Sequence, residues 1–177
     1  MEAKEEKPAY HVAVDLETLG LGFKAPIVAL ALVMFTEEEI LGHQLYRLNW
    51  DDQPDRMVAR GTLEWWVSQE PEILRNSLGA HEERMATAVA LGGCWTTFQD
   101  ATTVWGNPPA FDLGLLKPLF RHFLSGVPWS HRAERCGRTI RLHQDRVEAE
   151  RPHDPVSDAL ALARQVQLAS KFVGGIW

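Results

Sequence analysis

An α/β architecture on a mixed sheet is the fold class this sequence predicts, and three patterns predict it. Short apolar runs rich in β-branched residues fill the first 50 positions, helical spacing dominates the middle, and a long, well-capped helix closes the chain. Residues 10–16 (YHVAVDL) and 27–35 (IVALALVMF) flank the turn-rich ETLGLGFKAP. With LGHQLYRLN at 41–49 they read as three consecutive strands, whose short connections favour an antiparallel meander. TLEWWVSQE after Gly61, PEILRNSL with proline at a first helical position, and RMATAVALGGCWTTFQ read as helices. TTVWGN at 102–107 is a short strand. AFDLGLLKPLFRHFL then places Leu113, Leu116, Leu119, Phe120 and Phe123 on one helical face, with Pro118 as a kink or a break. HDPVSDALALARQVQLASKF offers Asp154 as N-cap and Pro155 as the first helical residue.

The 177 residues, 45% of them hydrophobic, suit one domain, expected over residues 10–177 behind a frayed, charged tail at 1–9. A formal net charge of -6 argues against coating nucleic acid through an overall positive field, though not against a local site. Cys94 and Cys136 form neither a C-x-x-C pair nor a Cys/His cluster, so reduced thiols and a cytoplasmic setting are expected. The N-terminus has no basic-then-apolar signal pattern, and the apolar stretch at 26–35 is far shorter than the ~20 residues of a membrane span. No membrane association is expected.

Chemistry concentrates at three places. Residues two apart on a strand share a face, so Asp15 and Glu17 form a paired carboxylate. Two such charges about 4 Å apart repel, and one stays protonated unless a cation lies between them; oxygen ligands suit Mg2+ or Mn2+. Taken alone, the pair also fits a solvated strand end. Asp112 stands where a strand passes into a helix, the usual place for ligands in α/β sheets, yet an N-cap would explain it equally well. His153 precedes the last helix and Asp158 lies about one turn inside it, so both can face one spot at an N-terminus that favours anions. Together the four acids could hold two divalent ions for in-line displacement at a phosphodiester, with His153 taking the proton from water.

In that order, D-x-E, a mid-chain Asp and H-x-x-x-x-D, the chain resembles the DEDDh branch of the DnaQ-like 3'-5' exonucleases. The motifs are DLETLG, WGNPPAFD and HDPVSDA. Within that superfamily it looks most like the small exoribonucleases of the RNase AS type, a group also represented among phage exonucleases. GTLEWWVSQ, VPWSHRAERCGRTIRL and the WGN before Asp112 support the narrower likeness. The resemblance implies a ribonuclease H-like fold: a mixed five-stranded sheet, three antiparallel strands then parallel ones, flanked by helices. It implies that Asp15, Glu17, Asp112 and Asp158 hold two Mg2+ or Mn2+ ions and that His153 is the general base. It places Thr18 and Leu19 against the terminal nucleotide and Glu17 near the 3'-hydroxyl. The substrate implied is single-stranded nucleic acid or a 3' overhang, RNA first and DNA second, cut to nucleoside 5'-monophosphates, and a homodimer is implied as well. A binding module that keeps the fold without catalysis is the rival from another class.

Two departures stand out: PPAF stiffens the loop before the third acid, and Asp154-Pro155 follows the histidine where the family commonly has Asn, a change best read as a helix cap. Seven tryptophans include the adjacent Trp65 and Trp66. Neighbours on a helix point about 100° apart, so one can pack while the other meets a cleft. By the resemblance, Trp66 and Gln69 are the stacking and contact residues, with Asn107, Phe111 and Arg138 as further substrate contacts. Trp95, Trp105 and Trp129 are expected to pack. The Lys/Arg-rich span from Lys117 to Arg146 is either a phosphate track or a solvated face.

Overall fold

A computed structural model describes residues 9–140 and 146–173 of the chain. Residues 1–8 of the tail expected at 1–9, together with Arg141 and Asp145 of the basic span, lie outside the described residues. Three strands open the fold: β1 (His11–Thr18), β2 (Ile27–Phe35) and β3 (Ile40–Arg47). Helices α1 (Arg60–Val67), α2 (Pro71–Leu78) and α3 (Thr87–Gln99) follow, then β4 (Thr103–Gly106) and α4 (Pro109–Leu124). A short β5 (Glu134–Cys136), a single turn α5 (Gly137–Ile140) and the long α6 (Pro155–Val173) complete it.

The sheet runs β3-β2-β1-β4-β5, antiparallel across its first three strands and parallel from β1 to β4 and β4 to β5. This is the expected mixed, helix-flanked, five-stranded arrangement. Because β1 and β2 have neighbours on both edges and helices on both faces, their sequences are almost unbroken apolar runs. Alternation along β1 sorts the two layers: Val12, Val14 and Leu16 enter the core shared with α3 and α4, whereas Ala13 faces α6. Ala13, Ala31, Ala159 and Ala163 keep that second layer thin, so α6 lies close on the sheet beside Leu162 and Val166.

The element differences have physical reasons. α4 runs unbroken through Pro118, because the proline sits on its exposed side, where the carbonyl it leaves unbonded can reach water. β5 is three residues, Glu-Arg-Cys, too short and too polar to carry a period of its own. Trp105 and Trp129 are buried and Trp95 packs against the main core, as expected. Glu37, Glu38 and Glu39 form a solvated turn closed by the Thr36 hydroxyl, which accepts the backbone N–H groups of Glu38 and Glu39.

Candidate active site

Asp15 and Glu17 share the parity of Ala13 and therefore project from the sheet toward α6. Asp158 lies one turn before Leu162, on the α6 face that packs on the sheet, and so arrives over the same spot. One oxygen from each of Asp15, Glu17 and Asp158 lies within 4.8 Å of the others. Directly across the ladder, Asp15 faces Ala31 and Glu17 faces Ala29. These methyl-sized neighbours leave space above the sheet that Leu or Val would fill. Cross-strand register is invisible in a single sequence, so the role of both alanines was not foreseen.

Asp112 joins from the far side. β1 and β4 are parallel, so their carboxyl ends share one edge, and α4 begins there. Asp112 stands at the fourth position of α4, not at its cap, and its Oδ2 accepts the N–H of Asn107 at 2.7 Å. Gly106 makes this turn feasible: a Cβ there would stand 2.7 Å from the Pro109 Cα and 3.0 Å from Asp112 Oδ2.

Crowding acids in a poorly hydrated spot stores electrostatic strain. Burial, then Glu17, Asp112 and Asp158, push the Asp15 carboxyl well above the usual range. Burial, then Asp158, raise Glu17 likewise. Asp112 is raised by burial to about 7, against the pull of the Asn107 N–H and the Arg138 guanidinium. Asp158 is raised too, chiefly by burial, with the His153 N–H opposing it. Buried carboxylates that repel one another call for a cation, and an oxygen-only donor set suits a hard divalent ion.

His153 and Asp158 meet through the histidine backbone and the aspartate carboxylate. The His153 N–H donates to Asp158 Oδ2 at 2.8 Å, and Asp154 caps α6 by accepting the Ser157 N–H at 3.0 Å. A family model of the 3'-5' exoribonuclease Rv2179c-like domain matches residues 10–170. The chain belongs to this family. It is also similar to an exodeoxyribonuclease of Enterobacteria phage T4, 28% identical over 81 residues, 40% of this chain and 35% of that protein. Among solved structures it is similar to E. coli exonuclease I. The zinc-ion-bound complex with single-stranded DNA gives TM-score 0.69 at 13% identity over 95% of this chain and 42% of that one. The product-bound form gives 0.66 at 13% over 93% and 44%. This likeness shows a common ribonuclease H-like fold, and the chain spans less than half the length of these relatives.

In this family member, two cavities flank the acids. One is narrow and polar, about 50 Å³, lined by Asp15, Asp158, Asn107 and Arg146 among others; the Asn107 Oδ1 beside it is buried without a hydrogen-bond partner among the described residues. The other is an apolar cleft of about 480 Å³ between Glu17, Thr18, Leu21, Trp65, Phe111 and His153. Thr18 and Phe111 are among the residues that line this cleft. Trp66 forms the cleft's inner wall, 2% exposed, with its Nε1 donating to the Thr18 carbonyl at 3.0 Å. Trp65, 39% exposed, turns outward and meets the His153 ring. No periodicity singled it out, because Leu63 and Val67 on the same helix are exposed as well.

Leu19 and Gln69 do not line the cleft. Leu19 packs on Val28 and Trp66, with its N–H donated to Pro26 and its carbonyl accepting from Ala59. Gln69 turns back to the Trp65 carbonyl. Arg138 is exposed on α5 and reaches Asp112 through its charge. Lys117, the first residue of the basic span, is paired with Glu134 at 2.6 Å, and Glu134 also accepts the Trp129 indole N–H. Cys94 is buried, its thiol pushed up to about 12, and it is free, as is Cys136. Among the described residues no helix is long and apolar enough to cross a membrane.

Proposed function

We propose that the chain is a DEDDh-type 3'-5' exonuclease that shortens single-stranded nucleic acid from a free 3' end and releases nucleoside 5'-monophosphates. One observation carries this reading: three carboxylates within 4.8 Å, with Asp112 within electrostatic reach and His153 at the rim of the adjoining cleft. Asp15, Glu17, Asp112 and Asp158 would hold two Mg2+ or Mn2+ ions. Bound there, such ions offset the carboxylate repulsion and supply positive charge to the water and to the phosphate oxygens. His153 takes a proton from the attacking water on an unprotonated ring nitrogen as oxygen bonds to phosphorus. The bond from phosphorus to the 3'-oxygen breaks, the shortened strand leaves with a 3'-hydroxyl once that oxygen is protonated, and the freed nucleotide keeps its 5'-phosphate.

The apolar cleft takes the terminal nucleotide. Thr18, Phe111 and the inner wall of Trp66 bound it, and the exposed Trp65 face stacks a base without demanding a sequence. Asn107, on the polar cavity beside the acids, and Arg138 remain further contacts of this reading; Leu19, buried with both backbone groups bonded, and Gln69, folded back on the Trp65 carbonyl, do not. RNA is the first substrate, in keeping with the exoribonuclease family; DNA is the second, favoured by the phage exodeoxyribonuclease likeness. A homodimer belongs to the same reading and is checked by light scattering.

The deciding experiment supplies matched single-stranded RNA and DNA, labelled at either end, and separates products by chromatography. Nucleoside 5'-monophosphates released from the 3' side, faster for RNA, are expected. Retarded but uncut strands would replace the enzyme with a binding module.

A further inference from the structure

We infer that Ser77 is a positioning residue for His153, holding the loop before α6 by its backbone; the inference rests on the proposed role of His153 in hydrolysis. His153 adopts the left-handed region, φ 64°, which side-chain-bearing residues seldom occupy unless their surroundings fix them. Three elements do so. Asp158 of α6 accepts its N–H, Trp65 of α1 meets its ring with centroids 4.9 Å apart, and the Ser77 hydroxyl of α2 donates to its carbonyl. Only the last comes from a residue with no other assigned place in the site.

Ser77 is fully buried in the last turn of α2. That turn is itself gripped from the sheet: the Arg47 guanidinium of β3 donates to the Asn76 carbonyl at 3.1 Å and pairs with Glu83 at 3.3 Å. Arg47 passes so close that a Cβ on Gly79, φ 65°, would lie 2.1 Å from its Cδ. Ile73, Leu74 and Leu78 pack the same helix on Leu19, Val28 and Trp66. A rigid path therefore runs from β3 through α2 to the peptide that carries the imidazole. Losing the hydroxyl leaves the His153 carbonyl without this donor and releases one of three restraints on an unfavourable backbone.

The test is a double-mutant cycle on labelled single-stranded RNA. Ser77→Ala is expected to lower kcat about tenfold with KM within about twofold, and to change kcat by less than about twofold in a His153→Ala background. Ser77→Thr, which keeps the donor, is expected to restore most of the rate; should Ser77→Ala melt before assay, Ser77→Cys takes its place. An equal loss in both backgrounds, or a change confined to KM, overturns the inference. The His153 imidazole NMR signals give an activity-free readout: they shift or broaden in Ser77→Ala and recover in Ser77→Thr. Unaltered signals overturn the Ser77 inference, whereas an unaltered kcat in His153→Ala overturns the base role.

Discussion

The His153 imidazole meets the Trp65 indole edge-on, ring centroids 4.9 Å apart and planes at 78°. The indole thus contacts the proposed base while lining the same cleft. Trp65→Ala is expected to lower kcat/KM by about 5- to 150-fold, as about 1 to 3 kcal/mol of stacking is lost, and to change stability by less than about 1 kcal/mol. Trp66→Ala removes a buried ring and is expected to cost about 3 to 5 kcal/mol of stability. Urea unfolding beside steady-state kinetics separates the two neighbours.

Gly106 gives a steric prediction. Its Cβ would strike Pro109 and press on Asp112 Oδ2, so Gly106→Ala is expected to displace the third acid and cut activity about a hundredfold. A Cβ on Gly92, on the exposed side of α3, would meet nothing within 4 Å among the described residues. Gly92→Ala is expected to leave activity intact and to stabilise by about 0.5 to 1 kcal/mol. Melting curves and rates of the two variants, taken together, check both.

Proton linkage gives a third. An acid whose native pKa is raised binds more protons folded than unfolded, so its contribution to stability is present below its ordinary pKa and lost as pH rises through the raised one. For Asp112 that window runs from 3.8 to about 7. Asp15, Glu17 and Asp158 shift in the same direction. A divalent ion binds the deprotonated acids, so Mn2+ should raise the melting temperature more at about pH 8 than at about pH 5. Calorimetry at both pH values checks this; an equal shift, or a larger one in acid, counts against metal binding by these carboxylates.

The parts that could be read beforehand were those whose signal is local. β2 is one long apolar run, α2 begins at its proline, and α6 begins at Asp154-Pro155, so their places followed from the sequence directly. The acids and His153 carried a residue order that spacing alone made suggestive and the family resemblance made specific. What stayed hidden depends on distant pairing. β5 becomes a strand by lying beside β4, Ala29 and Ala31 matter through register with β1, and Ser77 matters through a contact 76 residues away. The order of Trp65 and Trp66, outward and inward, was set by what α1 packs on, and its exposed Leu63 and Val67 masked the face.

The most direct test of the central claim, that Asp15, Glu17, Asp112 and Asp158 make a metal-dependent exonuclease site, is a gel of 5'-labelled single-stranded RNA. Wild-type protein and Asp15→Asn, a near-isosteric change, are run side by side with Mn2+ or with EDTA. A ladder shortening stepwise in the wild-type lane with Mn2+, and absent in the other three lanes, is the predicted result. Shortening that survives both EDTA and Asp15→Asn would contradict the account.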